Sequence, residues 1–264
     1  EVNAAVAGFI AQARERLKSR PGLREHPENL LEAMIVAADS PDSGIDDGQV
    51  AGNVVTMLLA GEDTTANTLA WMIHLLWRNP DMLARARDEV RAVCTGAGAG
   101  AGAGEFTLEQ VSRLDFVEAC AHETMRLKPV APQLPLQALH DTVVGDVRVP
   151  AGSVVISMLR RDSISDDWLP EASRFDPTRW LADGGPGRQA SSAKRLSMPF
   201  GAGPRICPGR YLALLEMKLA MAVVLGRFEI LSVDTPDGQE AAERLSFTMT
   251  PVGLRMRVRP IDGG

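Results

Sequence analysis

The stretch Phe200-Gly201-Ala202-Gly203-Pro204-Arg205-Ile206-Cys207-Pro208-Gly209 decides how this chain is read. Two glycines and a proline ahead of the cysteine demand a tight loop. A helical pattern follows from about Pro208 to Gly226, which puts Cys207 at a helix start. A helix N-terminus presents unsatisfied N–H groups and the positive end of the peptide dipoles, and both favour a thiolate. Glycines let the backbone approach a flat object closely, and Arg205 adds a cation suited to a carboxylate. A free cysteine is more commonly a small buried hydrophobe, and that reading is the expectation for Cys94 and Cys120.

Composition narrows the classes open to the chain. Its 264 residues, 45% hydrophobic and 23% charged, suffice for one large domain or two small ones with a real core. A formal charge of −6 does not suggest a nucleic-acid partner. The 3 cysteines are far apart and form no C-x-x-C pair, so neither a zinc site nor a disulfide framework is indicated, and a reducing cytoplasm fits best. No membrane span is visible. The apolar run from Val50 to Ala60 is too short and contains Gly52, Asn53 and Thr56, while Leu212 to Leu225 is interrupted by Glu216 and Lys218. The chain opens on Glu1, directly in a helical pattern, and reads as a piece of something longer.

Periodicity and punctuation give a mainly helical outline with small sheets in the second half. Helices are expected from about Val2 to Ser19, Pro27 to Ala38, Asp47 to Arg78, Asp81 to Cys94, Thr107 to Leu114 and Asp115 to Lys128. Thr95 to Gly104 alternates Gly and Ala after its Thr, and is expected to be a flexible surface loop. Asp141 to Ser157 suggests short strands, Arg160 to Lys194 irregular chain, and Leu245 to Val258 a hairpin around Pro251-Val252-Gly253.

The cysteine stretch fills every fixed position of F-G-x-G-x-R-x-C-x-G, and so resembles the haem-loop signature of the cytochromes P450. Three further segments resemble that family in the right order. Ala60-Gly61-Glu62-Asp63-Thr64-Thr65 is similar to its oxygen-activation motif, where Gly and tandem Thr weaken a helix and open a groove. Glu123-Thr124-Met125-Arg126 is similar to its E-x-x-R motif, and Phe175-Asp176-Pro177-Thr178-Arg179-Trp180 to the segment that supplies the arginine partner. Lys128-Pro129-Val130-Ala131-Pro132 follows as in the family, although Leu134-Pro135-Leu136-Gln137 lacks the basic residue that many relatives place nearby.

The resemblance implies a P450-type fold without the family's N-terminal half, residues 1–264 forming a single, incomplete haem-binding domain. It implies haem b as cofactor, with Cys207 as iron ligand and Phe200, Gly201, Arg205 and Gly209 completing the cofactor loop. Asp63 and Thr64 become the catalytic proton relay, and Glu123, Arg126 and Arg179 a buried structural triad. The implied activity is a haem-thiolate monooxygenase that takes O2, a small apolar substrate and electrons from a ferredoxin- or flavodoxin-type donor on a separate chain. The alternatives are a truncated, non-catalytic haem-binding remnant and a P450-fold peroxide isomerase; the Asp63-Thr64 pair argues against the isomerase. Met57, Ala60, Val130, Ala131, Leu134 and Phe247 are either a substrate-facing wall or plain core. Lys194, Arg195, Arg205 and Arg210 are either a docking patch for the electron donor or, apart from Arg205, solvated surface charges.

Overall fold

The computed structural model describes residues 2–94, 106–181 and 190–261, so the expected loop at 95–104 lies outside the described residues. In chain order the elements are α1 (Val2–Ser19), α2 (Leu30–Ala38), α3 (Asp47–Arg78), α4 (Pro80–Cys94), α5 (Leu108–Ser112), α6 (Asp115–Leu127), β1 (Gln133–Gln137), β2 (Thr142–Val144), β3 (Val147–Val149), β4 (Val154–Met158), α7 (Leu159–Ser163), α8 (Ala190–Ser197), α9 (Arg210–Arg227), β5 (Phe228–Asp234), β6 (Ala242–Leu245), β7 (Met249–Val252) and β8 (Arg255–Pro260). The chain is mainly helical with small antiparallel two-stranded sheets, β1 with β4, β2 with β3, β5 with β8 and β6 with β7.

Two compact units divide the chain, residues 1–62 and 63–264, and the boundary falls inside α3. In the first unit, α1 buries Val6, Ile10, Ala13 and Leu17, an i, i+4, i+7, i+11 stripe that packs with Leu23, Ile35, Val50 and Val54. Helix α2 begins at Leu30 rather than at Pro27, because the Asn29 side chain accepts from the Glu32 N–H and so caps the helix there.

The second unit is organised around α6 and α9. Helix α9 buries Met217, Met221, Ala222 and Leu225 against Val117, Cys120, Ala121 and Met125 of α6, Val90 of α4 and Leu76 of α3. Each large apolar side chain removed from water there contributes roughly 1.5–3 kcal/mol. Lys218 is buried on the same helix, and its Nζ donates to the Ser112 carbonyl at 2.9 Å and to Glu118 Oε2 at 2.8 Å. That lysine locks α9 to α5 and α6 at a fixed rotation. A Cβ on Gly226 would stand 3.3 Å from Val90 Cγ1, a tight contact, so glycine eases the close approach of α9 to α4.

Several local expectations are corrected. The segment expected to be irregular contains α7 and α8. The tail is not one hairpin around 251–253. Strand β6 turns at 246–248 into β7, whereas β8 pairs with β5 across some twenty intervening residues. A pairing between strands that distant leaves no local pattern to read. Helix α3 is α-helical throughout its 32 residues, with no interruption at 60–65. Its threonines return a hydrogen bond instead of breaking the ladder: Thr68 Oγ1 donates to the Thr64 carbonyl at 2.8 Å.

Candidate functional site

The cysteine loop begins where α8 ends. Gly201 and Gly203 both take positive φ, 72° and 66°, a region closed to most other residues. The chain thereby folds back so that the Cys207 N–H donates to the Phe200 carbonyl at 2.9 Å. A 3-10 turn, Gly203–Arg205, sits inside the loop, and α9 starts at Arg210. Cys207 therefore precedes the first helical residue by three positions and does not occupy the helix start.

Cys207 is half-buried, while Cys94 and Cys120 are buried. Burial pushes the Cys94 thiol up and the Cys120 thiol up strongly, which leaves both protonated and inert. Around Cys207 the loop is open: Ala202, Gly203, Pro204, Arg205 and Ile206 are exposed. A Cβ on Gly209 would stand 3.9 Å from the Cys207 sulfur, so glycine keeps the flank of the thiol clear. Among the described residues the Arg205 guanidinium has no hydrogen-bond or ionic partner. Arg210 lies back over the loop, 4.3 Å above the Tyr211 ring and with NH1 3.4 Å from the Cys207 carbonyl. An accessible thiol, an uncrowded backbone and an unclaimed cation suit a flat ligand bearing both a metal and carboxylates.

Behind this loop is a charge network that excludes water. Glu123 and Arg126, an i, i+3 pair on α6, are both 0% exposed. Arg126 Nε donates to Glu123 Oε2 at 2.8 Å and NH2 to Oε1 at 2.7 Å. NH1 donates to the carbonyls of Ser163 and Ala172, and NH2 also to that of Arg174. All five N–H donors of the guanidinium are thus used. Glu123 in turn accepts from the Asp176 N–H and from the Trp180 indole, each at 2.9 Å. Arg179 stands further off, its Nε 3.5 Å from Glu123 Oε1, and its NH2 donates to the Glu171 carbonyl. The structure brings Glu123, Arg126 and Arg179 together, but Trp180 and the Asp176 amide hold the carboxylate more closely than Arg179 does. Sequence reading passed over Trp180, although it directly follows Arg179.

It also passed over His122. That ring stacks on Trp180, centroids 4.9 Å apart, and meets Phe200 edge-on at 6.3 Å. Burial lowers its pKa; Glu118 opposes that shift, and Lys194 adds to it. His122 thus joins the buried network to the first residue of the cysteine loop.

Asp63 and Thr64 are adjacent on α3, Asp63 exposed and Thr64 half-buried. Neighbouring helix positions point about 100° apart, so the two side chains leave α3 in different directions, Asp63 on the more exposed side. Of the residues considered for a substrate wall, Val130 is core, packed with Trp71 and Ala241. Leu134 is half-buried, and Ala131 and Phe247 are exposed, Phe247 by 67%. Met57 is half-buried and Ala60 exposed, both in the first unit. Phe247 sits at the β6–β7 turn, which is anchored by Asn67 Nδ2 donating to Thr248 Oγ1 at 2.8 Å and by Met249 N–H donating to the Val130 carbonyl at 2.8 Å.

Known proteins share this sequence and architecture. A cytochrome P450 from Paris polyphylla is 36% identical over 252 residues, which cover 93% of this chain and 47% of that protein. The pentalenene oxygenase of Streptomyces avermitilis is 30% identical over 88% of this chain and 49% of its own. The crystal structure of the cytochrome P450 CYP102L1 superposes with a TM-score of 0.78 at 29% identity, over 98% of this chain and 56% of that one. The chain spans about half the length of these relatives. The family profile described as Cytochrome P450 matches residues 1–258, and with that match across almost all of its length the chain belongs to the cytochrome P450 family.

Proposed function

We propose that this chain forms the thiolate half of a monooxygenase that inserts one oxygen atom from O2 into a small apolar substrate. The observation that carries the reading is the Cys207 loop: one accessible thiol beside an unclaimed guanidinium, with the other two cysteines buried. The family implies haem, and haem b fits the residues present. Cys207 would ligate its iron, Arg205 would pair with a propionate, and Phe200 would pack near the sulfur. Gly201 and Gly209 would keep the backbone and the sulfur's flank free of side chains. Glu123, Arg126 and Arg179 would hold the segment around 172–180 behind the loop. A thiolate-ligated haem supplies electron density that favours O–O cleavage; the protein's task is ligation, orientation and proton control.

The proton path follows from the two adjacent side chains on α3. Asp63, exposed to solvent, would collect a proton, and the half-buried Thr64 would pass it on through its hydroxyl. The electrons would come from an acidic ferredoxin- or flavodoxin-type protein docked on the cysteine side, where Lys194 and Arg195 are exposed and Arg210 is half-buried.

The test is the spectrum of the reduced, carbon-monoxide-bound protein. The wild-type chain should give the red-shifted Soret band of thiolate ligation, and so should Cys94→Ser and Cys120→Ser. Cys207→Ser should lose it. A thiolate-type band that persists in Cys207→Ser ends the assignment.

A further inference from the structure

The ring of His122 is held in an unusual way. Its Nδ1 is buried with no hydrogen-bond partner, and its Nε2 is 3.9 Å from Glu118 Oε1, too far for a hydrogen bond. What fixes the ring is therefore its two aromatic neighbours, Trp180 face to face and Phe200 edge to face. Each neighbour is tied to a different structure. The Trp180 indole donates to Glu123 Oε2 at 2.9 Å, inside the buried charge network. The Phe200 carbonyl accepts from the Cys207 N–H at 2.9 Å, inside the cysteine loop. An imidazole with a stranded nitrogen is a poor choice for such a sandwich if packing were its only duty, since phenylalanine would fill the space without an unsatisfied polar atom.

We propose that His122 is a positioning residue for the cysteine loop, coupling the buried Glu123–Arg126 pair to Cys207 through its stacked contact with Trp180 and its edge-on contact with Phe200. The coupling holds while the imidazole is neutral. Burial keeps it neutral to a lower pH than an exposed histidine. The charged groups around it are Glu118 on its own helix, already claimed by Lys218 of α9, and Lys194 of α8, which disfavours a second cation. Glu123, next in sequence, turns its oxygens to Arg126, Trp180 and the Asp176 amide. Protonating His122 buries a cation that Lys194 disfavours and that Glu118 Oε1, 3.9 Å away, offsets only in part, so the charged form destabilises the sandwich.

The linkage has a definite sign. A histidine whose folded pKa is depressed leaves stability unaffected above its unfolded value, about 6.5, where both states are neutral. Stability falls as the pH drops below that value, because the unfolded chain takes up the proton first. It levels off below the folded value. The loop should therefore weaken on the acid side of neutrality.

The experiment is amide hydrogen exchange at Cys207 in the full chain, corrected for intrinsic rates and followed from neutral to mildly acid pH. Wild-type protection should fall as the solution is acidified. His122→Phe should keep neutral-pH protection and lose the acid-side fall. His122→Ala should show protection lower by about tenfold at neutral pH, the size expected for losing its aromatic contacts, and no acid-side fall. Wild-type protection in His122→Ala, or an undiminished acid-side fall in His122→Phe, overturns the proposal. The inference takes its meaning from Cys207 as iron ligand, but the measurement concerns the loop alone. A thiolate-type band that persists in Cys207→Ser and a failure of coupling here are therefore separate results.

Discussion

Arg126→Ala is the most demanding test of how this half of the molecule is held. The guanidinium and its Glu123 partner are 0% exposed, so solvent does not screen the pair. Truncation leaves the Glu123 carboxylate buried with the Asp176 N–H, the Trp180 indole and Arg179 at 3.5 Å. Breaking a buried pair in this way costs about 3–5 kcal/mol. The carbonyls of Ser163, Ala172 and Arg174 also lose their donor. Water entering the vacated space can serve them, so the expected loss is about 4 kcal/mol, within the range for one stranded charge. That is about a quarter or more of a typical domain stability of about 5–15 kcal/mol. Arg174→Ala is the control: its pair with Glu171 is 59% and 62% exposed and 3.4 Å long, and such pairs contribute under about 1 kcal/mol. Urea unfolding should show the Arg126→Ala midpoint far below both wild type and Arg174→Ala at a similar slope. The double variant Glu123→Leu/Arg126→Met, which removes both charges, should lose less than the sum of Glu123→Leu and Arg126→Met singly. Equal losses in Arg126→Ala and Arg174→Ala, or strictly additive losses in the double variant, would refute the reading of a desolvated pair.

Two further outcomes follow from the proposed chemistry, both to be measured on the haem-loaded protein. Thr64→Ala should leave the thiolate-type spectrum intact while product formed per electron falls and peroxide rises; unchanged coupling would remove Thr64 from the relay. Lys194→Glu with Arg195→Glu should slow electron transfer from an acidic donor without altering the spectrum. The wild-type rate should itself fall with ionic strength, because screening sets in over about 8–10 Å at 0.1–0.15 M salt; a double variant as fast as wild type at low salt would exclude that docking patch.

What the sequence disclosed was whatever repeats locally or sits in a short motif. Helix α3 ran as expected from Asp47 to Arg78, because its apolar positions and the Asn79-Pro80 stop are both local signals. Gly201 and Gly203 announced a tight turn, and both take positive φ. What escaped was non-local. Strand β8 pairs with β5, and nothing in Arg255–Pro260 names Phe228–Asp234 as its partner. Arg179 was expected beside Glu123 because its segment resembles the one that supplies the family's arginine, yet the closer contacts come from a neutral indole and a backbone amide, which that motif does not name. Lys218 was read only as an interruption of an apolar run. In the structure it is a buried donor to Ser112 and Glu118, because a long side chain can cross from one helix to another and satisfy its charge there.

The E-x-x-R pair is part of a longer device. Glu118, His122 and Arg126 are spaced i, i+4, i+8 along α6 and so share one stripe of that helix. Each grips a different element. Glu118 takes Lys218 and sets the rotation of α9, the helix that leaves the cysteine loop. His122 takes Phe200, where the loop begins. Arg126 takes the carbonyls at 163, 172 and 174, and with Glu123 it fixes the segment that carries Trp180 back to His122. The loop around Cys207 is thereby held at both ends from a single helix, while its outer face stays open. A buried charge costs desolvation energy that an apolar pair avoids, so stability alone gives little reason for this arrangement. Holding the half-buried Cys207 thiol at a fixed place gives a better one, since hydrogen bonds to a guanidinium fix direction as well as distance, and the proposed iron ligand has to be positioned in both.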